Sequence, residues 1–210
     1  MTDRAEPTRL FLVTPPQADA ATFAPRLKGA LAAGDVAAVL IADGGEALAL
    51  ALMPMIQQAG AAALVVDDTR LAGHVKADGV HVTTGIADLK LAAESFKPKC
   101  IVGAADITSR HAAMEAGEAG ADYLFFGRPH GDTHDAPHPK AVDLAEWWAE
   151  LMEVPAVIMA GRGLDSVGDA AATGAAFVAV NEAIWSHPDG PAEAIRAANA
   201  QLRQEGRRAA

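Results

Sequence analysis

"MEAGEAGADYLFFG", residues 114–127, shows the fold in miniature. A helix-forming stretch rich in Ala and Glu stops at Gly120, and an apolar strand over 121–127 starts at once. Glycine tolerates the left-handed conformation that closes a helix, so the chain can pass from helix to strand within a few residues. "QQAGAAALVV" (57–66) and "AAATGAAFVAV" (170–180) repeat the device. A helix-to-strand unit reused in this way predicts parallel strands joined by crossover helices.

Outward from that stretch, eight short apolar runs read as strands: 10–14, 36–42, 62–68, 77–82, 100–105, 121–127, 156–161 and 177–181. Helices are expected near 18–33, 45–59, 86–96, 108–118, 141–152, 165–173 and 189–205, with a shortened one after Asp68. The strands are almost continuously apolar, so both faces of the sheet are covered. The fold class predicted is α/β, a single-domain (β/α)8 TIM barrel over residues 1–210. A doubly wound open sheet is the alternative, because strand order is not written in a sequence.

Composition agrees. A chain of 210 residues and 21.6 kDa suits one domain. Hydrophobic residues make up 51% and aromatics only 5%, which favours small-residue packing of helices on a sheet. No run of about 18 uncharged apolar residues occurs, so no membrane span is expected. The polar start Met1–Pro7 does not read as a secretory signal. The one cysteine, Cys100 in "KPKCIVGAA", cannot close an intramolecular disulfide, which suits a reducing, cytoplasmic setting. It is expected in a buried strand, where apolar flanks make it a poor nucleophile. A net charge of -10 repels phosphate backbones, so nucleic acid is not an expected partner and an anionic substrate needs a local cluster of cations. Arg203, Arg207 and Arg208 read as a solvated helix end.

In a barrel of this kind the residues just past each strand form the functional rim. Here they are Thr14-Pro15-Pro16, Asp43-Gly44-Gly45, Asp67-Asp68, His81 to Thr84, Asp106, Gly127 to Lys140, Gly161-Arg162-Gly163 and Asn181-Glu182. Polar and charged groups from separate strands thus meet at one mouth.

"RLFLVT" (9–14), "VVDD" (65–68), "ADGVHV" (77–82), "IVGAADITS" (101–109), "AGADYLFFG" (119–127), "VPAVIMAG" (154–161) and "TGAAFVAVNEAIW" (173–185) together resemble the thiamine phosphate synthase and thiazole tautomerase superfamily. The resemblance implies coupling of an aminopyrimidine methyl diphosphate to a thiazole phosphate, with release of pyrophosphate and with Mg2+ present. It implies Asp68 and Asp88 as magnesium carboxylates, and Gly161, Arg162, Gly163 and Asn181 at the thiazole phosphate. Thr133 and Lys140 stand as displaced counterparts of the threonine and lysine that follow the sixth strand in this family. The chain also departs from the pattern. The family's second strand ends with alternating Gln, Arg and Lys, whereas this chain has Leu40, Ala42 and Gly44, and Glu182 stands where a serine is usual.

The loop "RPHGDTHDAPHPK" (128–140) is the remaining rich segment. Arg128 and Lys140 are placed to supply the cations missing from the second strand. His130, His134 and His138 are four apart, the spacing of a zinc site on a helix, but Pro129, Gly131, Pro137 and Pro139 argue against a helix there, so a solvated lid is the preferred reading. The tautomerase branch uses a histidine just after the sixth-strand glycine, and His130 is the nearest candidate for such a proton shuttle. His81 reads as a buried strand residue, while His74, His111 and His187 read as surface. The function expected is a thiamine phosphate synthase-like transferase. A tautomerase-like isomerase, or a noncatalytic ligand-binding barrel, is the alternative. The expected partner is a phosphorylated small molecule, and a homodimer is a further expectation.

Overall fold

A computed structural model describes residues 7–43, 45–129 and 134–208. The strands are β1 (Arg9–Val13), β2 (Val36–Ile41), β3 (Ala62–Val66), β4 (Gly79–Val82), β5 (Ile101–Ala104), β6 (Tyr123–Phe126), β7 (Ala156–Met159) and β8 (Phe177–Val180). They pair in chain order, all parallel, and β8 returns to β1 to close the barrel. Closure excludes the doubly wound open sheet. The helices are α1 (Ala20–Leu31), α2 (Gly45–Gln58), α3 (Thr69–Val75), α4 (Ile86–Phe96), α5 (Arg110–Glu118), α6 (Pro139–Leu151), α7 (Ser166–Ala171), α8 (Glu182–Trp185) and α9 (Pro191–Arg208). The short α8 was not expected. It forms because Ile184 and Trp185 both donate their amides to the Asn181 carbonyl, adding one turn before α9.

Alternation along the strands divides the core in two. Phe11, Leu40, Leu64, Tyr123, Phe125 and Val157 belong to an inner cluster that fills the barrel. Leu10, Leu12, Val39, Val65, Phe126 and Ile158 belong to the outer cluster, shared with the helices. Small residues make room where the inner groups are large: a Cβ on Gly103 would lie 2.0 Å from the Tyr123 ring. His81 is fully buried among these groups, as expected. Its Nδ1 is 2.7 Å from the Tyr123 hydroxyl, and its ring stacks on Tyr123 and meets Phe125 edge-on. Burial, reinforced by the nearby Asp122 charge, holds the Tyr123 phenol far above its ordinary range, so this lumen pair carries a neutral phenol.

The two "AD" signatures are structural. Asp78, just before β4, accepts from the Ala63 amide at 2.8 Å, and Asp122, just before β6, accepts from the Val102 amide at 2.8 Å. Each satisfies an amide at the start of the preceding strand, which would otherwise be orphaned. Cys100 departs from expectation. It precedes β5, is half-buried, and donates its amide to Phe96 in the turn after α4. That turn is needed to redirect the chain, so the strand starts one residue later. Helix boundaries differ by a few residues, most visibly at α6, where Pro139 occupies the first turn because it needs no amide partner there.

Candidate active site

The carboxyl ends of the strands divide into two sectors. In the β1–β4 sector, polar groups are tied to the scaffold. Buried Thr14 accepts the Ala42 amide at 3.1 Å through Oγ1 and donates its own amide to Leu40 at 3.0 Å. Asp67 has a left-handed backbone (φ 52°), and its carboxylate accepts from both the amide and the hydroxyl of Thr83. Asp68 caps α3, with Oδ1 accepting from the Leu71 amide at 2.7 Å. Asp88 is exposed in the first turn of α4. The inward β2 side chains Ala38 and Leu40, and Ala42 just beyond them, are apolar members or neighbours of the inner cluster. Gly44 lies outside the described residues.

In the β5–β8 sector the β6–α6 loop crosses toward β7 and β8. The Arg162 amide donates to the His134 carbonyl at 2.9 Å, and the Arg162 guanidinium pairs with Asp135 at 3.2 Å. Gly161 is required by the loop's closeness, since a Cβ there would lie 2.2 Å from the Asp135 carbonyl oxygen. Asn181, almost fully buried, donates from Nδ2 to the Pro129 carbonyl at 3.1 Å. The loop therefore occupies two of the donors expected at a phosphate, the Arg162 amide and the Asn181 side chain. Gly163 is half-buried and Glu182 is exposed. His130 and Thr133 lie outside the described residues. His138 caps α6, its Nδ1 accepting from the Lys140 amide at 3.2 Å, and residues 134–138 are not helical, in keeping with the prolines.

Between the β5 and β6 ends lies a cavity of about 400 Å³ whose polar lining is Asp106, Thr108, Arg128, His134, His138 and Lys140. This brings together Arg128 and Lys140, two of the expected residues. The sequence places Asp106 on the rim without assigning it a role, and does not single out Thr108. The signal available for Asp106 was its place as an acidic residue just past the fifth strand, and its left-handed backbone (φ 57°) marks a sharp exit from β5.

Among the described residues no three His, Cys, Asp or Glu side chains gather as a metal cage. Asp68 keeps one carboxylate oxygen beyond its cap bond and Asp88 is exposed. Carboxylate oxygens are the donor type that suits Mg2+, which keeps much of its water and takes one or two carboxylates together with substrate phosphates.

The family model for thiamine monophosphate synthase matches residues 10–184, which is every strand of the barrel. The chain belongs to the thiamine monophosphate synthase family. A thiamine-phosphate synthase of Hyphomonas neptunium is 38% identical over 95% of this chain and 97% of its own length. One of Rhodospirillum centenum is 38% identical over 93% of this chain and 98% of its own. Among solved structures, thiamine phosphate pyrophosphorylase from Pyrococcus furiosus superposes with a TM-score of 0.76 at 22% identity, covering 94% of this chain and 96% of that one. At that identity the superposition speaks for the shared barrel. Among the described residues no helix is long and apolar enough to cross a membrane.

Proposed function

We propose that this chain is a thiamine phosphate synthase, joining an aminopyrimidine methyl diphosphate to a thiazole phosphate. The observation that carries the reading is 38% identity to synthases over nearly the full length of both chains. In this reaction the C–O bond to the diphosphate breaks and its electrons leave with pyrophosphate. The thiazole nitrogen then donates its lone pair to the pyrimidine methylene carbon. The protein's part is to position the two substrates and stabilise the departing charge. Arg128 and Lys140 serve the leaving group. Gly161, Arg162, Gly163 and Asn181 serve the thiazole phosphate, which takes over the donors that the β6–α6 loop otherwise holds. His130 and Thr133 extend this set from the same loop. Asp68 and Asp88 would hold Mg2+, which when bound neutralises part of the pyrophosphate charge. The ligands are small phosphorylated molecules, and the setting is the cytoplasm.

The test is formation of thiamine phosphate and pyrophosphate from the two substrates, with and without magnesium. Activity that requires magnesium and falls at least tenfold in Asp68→Ala is expected. Failure to form product, together with failure to restore growth of a thiamine-requiring strain, would sink the reading.

A further inference from the structure

We infer that Arg26 and Trp185 are positioning residues for the thiazole phosphate: they fasten the single turn α8 to α1 and β1, and through it fix where Asn181 presents its side chain. The inference rests on the synthase reading, which gives Asn181 to that phosphate.

A helix of four residues does not hold itself in place. In α8 the Ile184 and Trp185 amides donate to the Asn181 carbonyl and the Ser186 amide donates to Glu182. So few bonds do not offset the entropy of ordering the chain, and such a turn persists only where tertiary contacts supply the rest. Asn181 opens this turn, yet its side chain makes no cap bond there and Nδ2 donates to the Pro129 carbonyl across the mouth. Whatever fixes the turn therefore fixes the reach of Asn181.

Three contacts fix it, all from β1 and α1. The pairing of β1 with β8 stops at Leu12 and Val180, so the Val13 carbonyl lies past the ladder, and the Trp185 indole N–H donates to it at 2.7 Å. The Trp185 ring is buried and meets Phe23 of α1 edge-on, with ring centroids 4.7 Å apart. The Arg26 guanidinium, also from α1, donates to the Trp185 carbonyl, one of the acceptors that a helix end leaves open. Trp185 is thus held by backbone and side chain together, and one turn of chain carries that hold to Asn181. Neither Arg26 nor Trp185 lines the cavity of Arg128 and Lys140. Loosening this latch should therefore disturb the thiazole phosphate and spare the diphosphate.

The test is calorimetric titration of the full-length chain with thiazole phosphate, together with steady-state kinetics in which each substrate is varied in turn, on Trp185→Phe, Arg26→Ala and Arg26→Lys. Trp185→Phe keeps an aromatic ring against Phe23 and removes the indole donor, and Arg26 is exposed, so its replacement opens no core. Trp185→Phe and Arg26→Ala are each expected to raise Kd and KM for thiazole phosphate about three- to tenfold, the range of one hydrogen bond. The kcat and the KM for the diphosphate substrate are expected to stay within about twofold of the parent. Arg26→Lys, which keeps a donor, is expected to restore most of the loss. The inference is overturned if the unaltered chain does not bind thiazole phosphate, if Trp185→Phe or Arg26→Ala binds it unchanged, if kcat and both KM values move together, or if Arg26→Lys is no better than Arg26→Ala. Its failure and that of the synthase reading are distinct. Latch-dependent binding of thiazole phosphate without product removes the synthase and leaves the latch; product formed with an unchanged KM for thiazole phosphate in Trp185→Phe and Arg26→Ala does the reverse.

Discussion

At the amino end of the barrel, Asp35, Asp78 and Asp122 are all committed: Asp35 to Arg9 at 2.7 Å, Asp78 to the Ala63 amide, and Asp122 to the Val102 amide and Lys97. At the carboxyl end the same kinds of residue are differently employed. Arg128 and Lys140 make no ion pair among the described residues, Asp106 faces a cavity, and Asp88 is exposed. The amino end uses charge to finish the backbone hydrogen bonding of the sheet; at the carboxyl end Asp67 and Asp68 are likewise tied to amides, whereas Arg128, Lys140 and Asp106 line a cavity. Acidic residues at the two ends are indistinguishable by type, so their roles follow from which end of a parallel strand they occupy.

Substitutions at the two ends should therefore differ in kind. The largest effect on stability is expected from Asp122→Ala, which leaves the Val102 amide without its acceptor and Lys97 without its partner. A loss of about 1–3 kcal/mol in urea unfolding, with turnover per folded molecule unchanged, is expected. Arg128→Ala should reverse that profile, lowering kcat/KM about tenfold, which is about 1.4 kcal/mol in the transition state, while unfolding stays within about 0.5 kcal/mol of the parent. If it instead unfolded the chain, the division between the ends would fail. Asn181→Ala sharpens the comparison within the mouth, because it frees the β6–α6 loop from β8. A stability loss of about 1 kcal/mol, read by thermal unfolding, is expected together with a raised KM for thiazole phosphate.

The smallest effect belongs to pH. The Arg9 guanidinium, by hydrogen bond and charge, holds the Asp35 carboxyl below its ordinary value, against a smaller opposing effect of burial. The folded value is the lower one, so the pair's stabilisation is present above the unfolded-state value and disappears as pH falls through the folded one. Both side chains are about half exposed, at 41% and 53%, so the contribution after solvent screening is about 0.5 kcal/mol or less. Arg9→Ala should remove that part of the acid dependence, measured as unfolding free energy against pH.

The barrel was legible in the sequence because its signals are local. Gly60, Gly120 and Gly174 each leave a helix with positive φ, and the following strands begin within a few residues, as the "AGA", "AGAD" and "TGAA" segments indicate. Leu40 and Ala42 were singled out by the family resemblance at the second strand, and the structure places Leu40 in the inner cluster with Ala42 packed against it. The site was only partly legible. Asp68 is a helix cap in the fold, a role that shares its sequence signal with metal binding. The loop after β6 held too many polar groups and prolines for periodicity to rank them, and its contacts with Arg162 and Asn181 span 27 and 52 residues. Contacts at such separations leave no local pattern.

By itself the sequence determined an eight-unit parallel barrel, its family, and the apolar second strand, because helix caps, continuous apolar runs and motif order are properties of neighbouring residues. Tertiary structure alone decided that Asp78 and Asp122 serve the amino end, that the β6–α6 loop lies against β7 and β8, and that Asp106 shares a cavity with Arg128 and Lys140. Barrel closure, which joins β8 to β1, sets those distances, and no stretch of chain encodes them locally.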